Sequence, residues 1–151
     1  MQGIQVNRDL LFIGRDLLES RIIVEKRKLE MFFPQFKFYG IDKKITSIRG
    51  LLKTNLYNSY NVRISVTDSY PYEIPIINLI DFEIDEKCTH KSHAGNTCIM
   101  KPDHWNSVYS LAFAVARTAI WLNKYDIWRR NGKEEWPGKD FHRFNEDIAV
   151  R

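Results

Sequence analysis

Between Tyr60 and Thr67 the chain alternates: Tyr60, Val62, Ile64 and Val66 are apolar, while Asn61, Arg63, Ser65 and Thr67 are polar. Successive side chains of a β-strand point to opposite faces, so this segment has one dry face and one wet face. That pattern predicts an antiparallel sheet covered on one side. Two segments rich in aromatic and branched residues precede it, Phe36 to Ile41 and Ile45 to Leu52, separated by Asp42-Lys43-Lys44, a hairpin signature. After it, Tyr70-Pro71-Tyr72-Glu73-Ile74-Pro75 interrupts pairing because neither proline can donate to a ladder, and Ile76 to Phe82 resumes as a mostly apolar strand.

Helical periodicity brackets these strands. Asn7 can cap a helix opening at Arg8, where Leu10, Ile13, Leu17 and Leu18 recur with helical spacing and Arg15, Asp16 and Glu19 fall mainly on other faces. The expected helix is amphipathic and runs to about Leu29. Gly14 weakens it by roughly 1 kcal/mol relative to alanine without outweighing the periodicity, and Pro34 closes the element. From Glu83 to Asn106 no regular period is visible, and an irregular segment of that length in a compact domain is usually functional or disordered. Ser107 can then cap a second helix, with Val108, Leu111, Ala112, Val115, Ala119 and Leu122 following a period near 3.6 and Trp121, Tyr125 and Trp128 adding bulk. The charged tail from Arg129 is punctuated by Trp136-Pro137-Gly138. The order predicts an α+β fold: an N-terminal helix, a four-stranded antiparallel meander, an irregular active-site segment and C-terminal helices.

Composition bounds the rest. The 151 residues fit a single domain spanning 1–151, and 44% apolar residues with 13% aromatics suffice for one sizeable core. The 23 basic and 19 acidic residues give a mild +4 spread over both ends, which does not imply nucleic acid as a partner. No apolar run approaches the ~20 residues of a membrane span, and the N-terminus has no secretory-signal pattern, so the expectation is a cytoplasmic protein with no membrane partner. Two cysteines in such a domain are expected to be reduced thiols.

Both cysteines and two of the four histidines fall within Cys88-Thr89-His90-Lys91-Ser92-His93-Ala94-Gly95-Asn96-Thr97-Cys98. Three readings compete. Cys88, His90, His93 and Cys98 offer four acceptable zinc donors, although structural sites usually pair ligands at tighter spacings and a domain with this much core needs no metal to fold. A structural reading makes Cys88 a small buried apolar residue beside loop histidines. Cys98 differs, because Gly95-Asn96 can turn the chain sharply before it and Ile99-Met100 can anchor the chain after it, which would hold the thiol at an accessible rim. The third reading is therefore a nucleophilic cysteine with His90 or His93 as neighbouring proton carrier or hydrogen-bond donor, as acyl transfer requires. A thiol protease would also need an oriented base and a substrate cleft, for which the sequence holds no specific signal.

Tyr70-Pro71 with Pro75, Gly95 ahead of Cys98, Trp105 after it and the following helix together resemble the ubiquitin-conjugating enzyme family, over nearly the whole chain to about Gly138. His90, Trp121-Leu122 and Trp136-Pro137-Gly138 resemble more narrowly its bacterial branch, associated with antiphage defence operons that use cyclic-oligonucleotide signalling. Cys88-Thr89-His90 stands where eukaryotic members have His-Pro-Asn. The resemblance implies that Cys98 carries the C-terminus of a partner protein as a thioester and passes it to an amine. His90 would donate to the oxyanion or order the loop, His93 is the lesser candidate, and Asp103 and His104 would support deprotonation of the amine. It further implies an activating enzyme on a separate chain, a ubiquitin-like modifier or a nucleotidyltransferase C-terminus as acyl donor, and an amine-bearing protein target. No cofactor is expected, and ATP should not bind here. In the family the first helix meets the activating enzyme, so Arg15, Arg21, Lys26, Arg27 and Lys28 are either a docking face or an ordinary solvated one. Trp105, Trp121, Trp128 and Trp136 are expected mostly in packing roles. The alternatives are an inactive binding scaffold of the same fold and a zinc-binding domain.

Overall fold

The computed structural model describes residues 21–41, 44–92 and 95–138. Its elements are helix α1 (Arg21–Phe32), strands β1 (Lys37–Ile41), β2 (Lys44–Lys53), β3 (Ser59–Ser65) and β4 (Ile76–Ile80), a short 3-10 turn at Pro102–His104, and helix α2 (Leu111–Arg130). The expected helix start, with its Asn7 cap, lies outside the described residues. The described part continues to Phe32, past the expected end near Leu29, and stops before Pro34.

The four strands form one antiparallel sheet in chain order. β1 and β2 stay paired up to Ile41 opposite Lys44, as the hairpin signature predicted, although Asp42 and Lys43 lie outside the described residues. The alternation in β3 is realised: Tyr60, Val62 and Ile64 are buried, while Asn61 is exposed and Arg63 and Ser65 are partly exposed. Gly50 lies opposite Val62 in the register, and a Cβ there would stand 2.5 Å from the Phe36 ring. The closing aromatic of the α1–β1 connection therefore needs a glycine beneath it.

α2 is buried all round over its first turns. Every residue from Leu111 to Leu122 is covered, so this is a core helix rather than an amphipathic surface one. Its far end is tied to the β2–β3 turn through Asp126, whose carboxylate accepts hydrogen bonds from the Thr54 hydroxyl, from the Tyr60 hydroxyl at 2.5 Å and from Asn58 Nδ2 at 3.1 Å.

At its near end the structure corrects the expected helix start. The cap is Ser110 and not Ser107: the Ser110 hydroxyl accepts from the Phe113 amide at 3.0 Å. The reason is Arg21. Its guanidinium donates to the carbonyls of Ser107 and Tyr109 at 2.8 and 2.7 Å, holding residues 107–109 in a turn. Arg21 is thus no part of a solvated or docking face; it is 8% exposed and paired with the buried Glu25 at 3.2 Å. Glu25 also accepts from the Tyr70 hydroxyl at 2.6 Å and from the Leu111 amide at 2.8 Å, so one carboxylate joins α1, the β3–β4 connection and the start of α2. Burial pushes the Glu25 carboxyl above its usual range, against the pull of those donors. Lys26 and Arg27 are exposed and Lys28 is partly exposed, while Arg15 lies outside the described residues. Among the described residues no helix is long and apolar enough to cross a membrane.

Candidate active site

The irregular segment is held in place link by link. At its start Ile84 enters the core, and the Asp85 amide donates to the Tyr125 hydroxyl of α2 at 2.9 Å. Cys88 follows at 2% exposure, as the buried reading of that residue expected. The chain then folds back on itself, with Lys91 bridged antiparallel to Thr97. Gly95 takes φ +77°, a left-handed conformation that most L-residues resist, and its amide donates to the Ser92 carbonyl at 2.9 Å. Ser92 also donates its amide to the Asn96 carbonyl at 2.8 Å. The Thr97 amide docks this fold on the sheet edge by donating to the Ile77 carbonyl at 3.2 Å, and Asn78 Nδ2 donates to Asn96 Oδ1.

Cys98 emerges from this frame partly exposed. Its amide donates to the His90 carbonyl at 3.2 Å, and the same carbonyl accepts from Trp121 Nε1 at 2.9 Å. The two residues behind it, Ile99 and Met100, are 1% and 3% exposed, which is the expected anchor. The Cys98 thiol lies 3.6 Å from the Met100 carbonyl. On the open side is a groove of about 330 Å³, walled by residues 74–77 at the entry to β4, by Lys91 and Ser92, by residues 96–100 and by Pro102. Burial raises the Cys98 thiol above its ordinary value; the Met100 backbone and the Arg117 guanidinium pull it down without reversing the shift.

His90 reaches this site through its backbone, while its imidazole stacks on Trp136 with ring centres 4.4 Å apart. Trp136 in turn packs against Trp121 and Trp128. Asp103 and His104 sit exposed on the 3-10 turn that follows the rim. His93 lies outside the described residues, and with it one of the four zinc donors. Among the described residues no group of three or more metal-capable side chains converges. Trp105, Trp121 and Trp128 are buried and Trp136 partly so, in keeping with packing roles. Trp105 Nε1 donates to the Pro71 carbonyl at 2.8 Å, which links the Tyr70-Pro71 motif to the loop after Cys98.

Sequence reasoning passed over two residues that shape this site, Asn78 and Arg117, and read Asn96 only as part of a turn. Arg117 left a signal, as a lone charge within the otherwise uncharged run from Leu111 to Leu122. The pairing of Asn78 with Asn96 left none, because it depends on the loop crossing the sheet edge.

No curated protein matches the chain. A family model described as Type II CBASS E2 protein matches residues 25–143, a span that takes in α1 from Glu25 onward, the whole sheet, the Cys98 rim and α2. With an α+β meander, a cysteine at the rim of the segment before α2 and that match over most of its length, the chain belongs to the type II CBASS E2 family, an E2-like family of bacterial antiphage defence.

Proposed function

We propose that the chain acts in this defence as an acyl carrier, with Cys98 as the atom that carries the cargo. The observation that supports this most is a partly exposed thiol at the mouth of an apolar-walled groove, on a rim anchored on both sides. An activating enzyme on another chain converts the C-terminal carboxylate of a donor protein to a mixed anhydride with AMP. The Cys98 thiol loses its proton to solvent or to a base as its sulfur attacks that carbonyl, the C–S bond forms, and AMP leaves with the C–O electron pair. An amine of the target then attacks the thioester; the C–N bond forms, the C–S bond breaks, the thiolate is regenerated and the amine loses a proton.

Positioning dominates such a reaction, since a thioester is already a good acyl donor. The groove suits an extended C-terminal tail, either of a ubiquitin-like modifier or of a nucleotidyltransferase of the same defence system. His90 orders the rim through its carbonyl, with donation to the oxyanion as its second candidate role. Asp103 and His104 are candidates to assist the incoming amine, and His93 is a further candidate.

The test is to mix the full chain with its activating enzyme, donor protein and ATP and look for an adduct released by thiol reductants. Wild type is expected to form it and Cys98→Ala to lose it entirely. An adduct that survives in Cys98→Ala would overturn the reading, and full antiphage protection by that variant would favour an inactive scaffold.

A further inference from the structure

The covered stretch of α2 contains one charged side chain, and it reaches the Cys98 rim. Arg117 is 2% exposed. Its Nε and Nη2 both donate to the carbonyl of Ile99, at 3.3 and 2.8 Å, and Ile99 directly follows Cys98 in the chain. Burying a guanidinium is expensive, and an aliphatic residue would fill the same volume without that cost, so packing alone does not account for it. Electrostatics connect it to the thiol in both directions: Arg117 pulls Cys98 down, and Cys98 helps hold the proton on Arg117, whose own value burial lowers to about 10.

The geometry points to Arg117 as a positioning residue for Cys98: it clamps the Ile99 peptide so that the sulfur faces the groove, and it keeps a positive charge behind the thiolate. This rests on the reading of Cys98 as nucleophile and goes beyond it by naming what makes the thiolate attainable at a desolvated rim. The charge serves both half-reactions, since the sulfur is anionic when it attacks and again when the C–S bond breaks. Among the other titratable groups, Lys91 lines the groove and Tyr109 acts on Arg117 from before α2, while the His90 imidazole stacks on Trp136 and Asp103 and His104 stand on the 3-10 turn. All five are at least partly exposed, so water screens them more than it screens Arg117.

The experiment is peptide-resolved alkylation of Cys98 by iodoacetamide as a function of pH in the full chain. Arg117→Gln keeps an amide that can donate to Ile99 but removes the charge. Its midpoint is expected to rise by about one pH unit, which is roughly tenfold less thiolate at neutral pH. Arg117→Lys, which keeps the charge, is expected to stay near wild type. Trp121→Phe, which removes a rim hydrogen bond and no charge, is expected to leave the midpoint unmoved. A wild-type midpoint in Arg117→Gln, or an equal shift in Arg117→Lys or Trp121→Phe, would overturn the proposal. Arg117→Met supplies the same comparison should the glutamine variant lack a cooperative melting transition. Because alkylation needs no acyl donor, failure here leaves the thioester test standing, and a failed thioester test leaves this midpoint measurable.

Discussion

Cys88 and Cys98 belong to the same irregular segment, and burial raises both thiols above the ordinary value. They differ in what lies on their open side. Cys88 is 2% exposed within the core cluster, its amide donating to the Asp85 carbonyl at 2.9 Å while the Asp85 amide is tied to α2. Cys98 has buried neighbours behind it, a groove in front and a guanidinium within electrostatic reach. The contrast teaches that proton affinity alone does not distinguish the two thiols. Access and a buried counter-charge separate two residues that desolvation shifts the same way.

The widest separation should appear in native-state alkylation. Cys98 is expected to react at least about 100-fold faster than Cys88, whose sulfur becomes reachable only when the core opens. The Cys98 rate should climb with pH through the ordinary thiol range near ~8.5 and level off above it, because its protonated form is favoured in the folded protein. A plateau reached below that range, or similar rates for the two thiols, would erase the contrast. Cys88→Ser places a hydroxyl in an apolar setting and should cost about 2 kcal/mol in chemical denaturation, while leaving adduct formation at Cys98 unchanged.

Trp136→Ala removes the ring stacked on His90 and is expected to destabilise by about 2 kcal/mol, with the loss showing in Cys98 chemistry before that of Cys88. If the adduct rate is untouched, the stacked imidazole has no part in ordering the rim. The smallest effect belongs to Gly95→Ala, where a side chain at φ +77° should cost about 1 kcal/mol. Its melting temperature should fall by a few degrees, and a larger fall would mean that the turn carries more than backbone strain.

Much of the architecture could be read in advance for a local reason. Period-two alternation in β3 and the prolines at Pro71 and Pro75 act through backbone geometry and nearest neighbours, so the meander and its interruption are written along the chain. The separation of Cys88 from Cys98 was legible too, through Gly95-Asn96 ahead of one and Ile99-Met100 behind it. The start of α2 was not. Ser107 and Ser110 are both acceptable caps by local chemistry, and the choice falls to Ser110 because Arg21, far away in the chain, takes the carbonyls of Ser107 and Tyr109.

The sequence by itself thus determined the order of elements, the dry face of the sheet and the turn and anchor on either side of Cys98. These follow from periodicity and from residue types that restrict φ or lack a donor. Tertiary structure decided which charges are buried and what they hold. Arg21 looks like an ordinary helix-surface cation, and Arg117 like an isolated charge in an apolar run, until distant carbonyls close around them, because a buried guanidinium is tolerated only where the fold has brought its acceptors together.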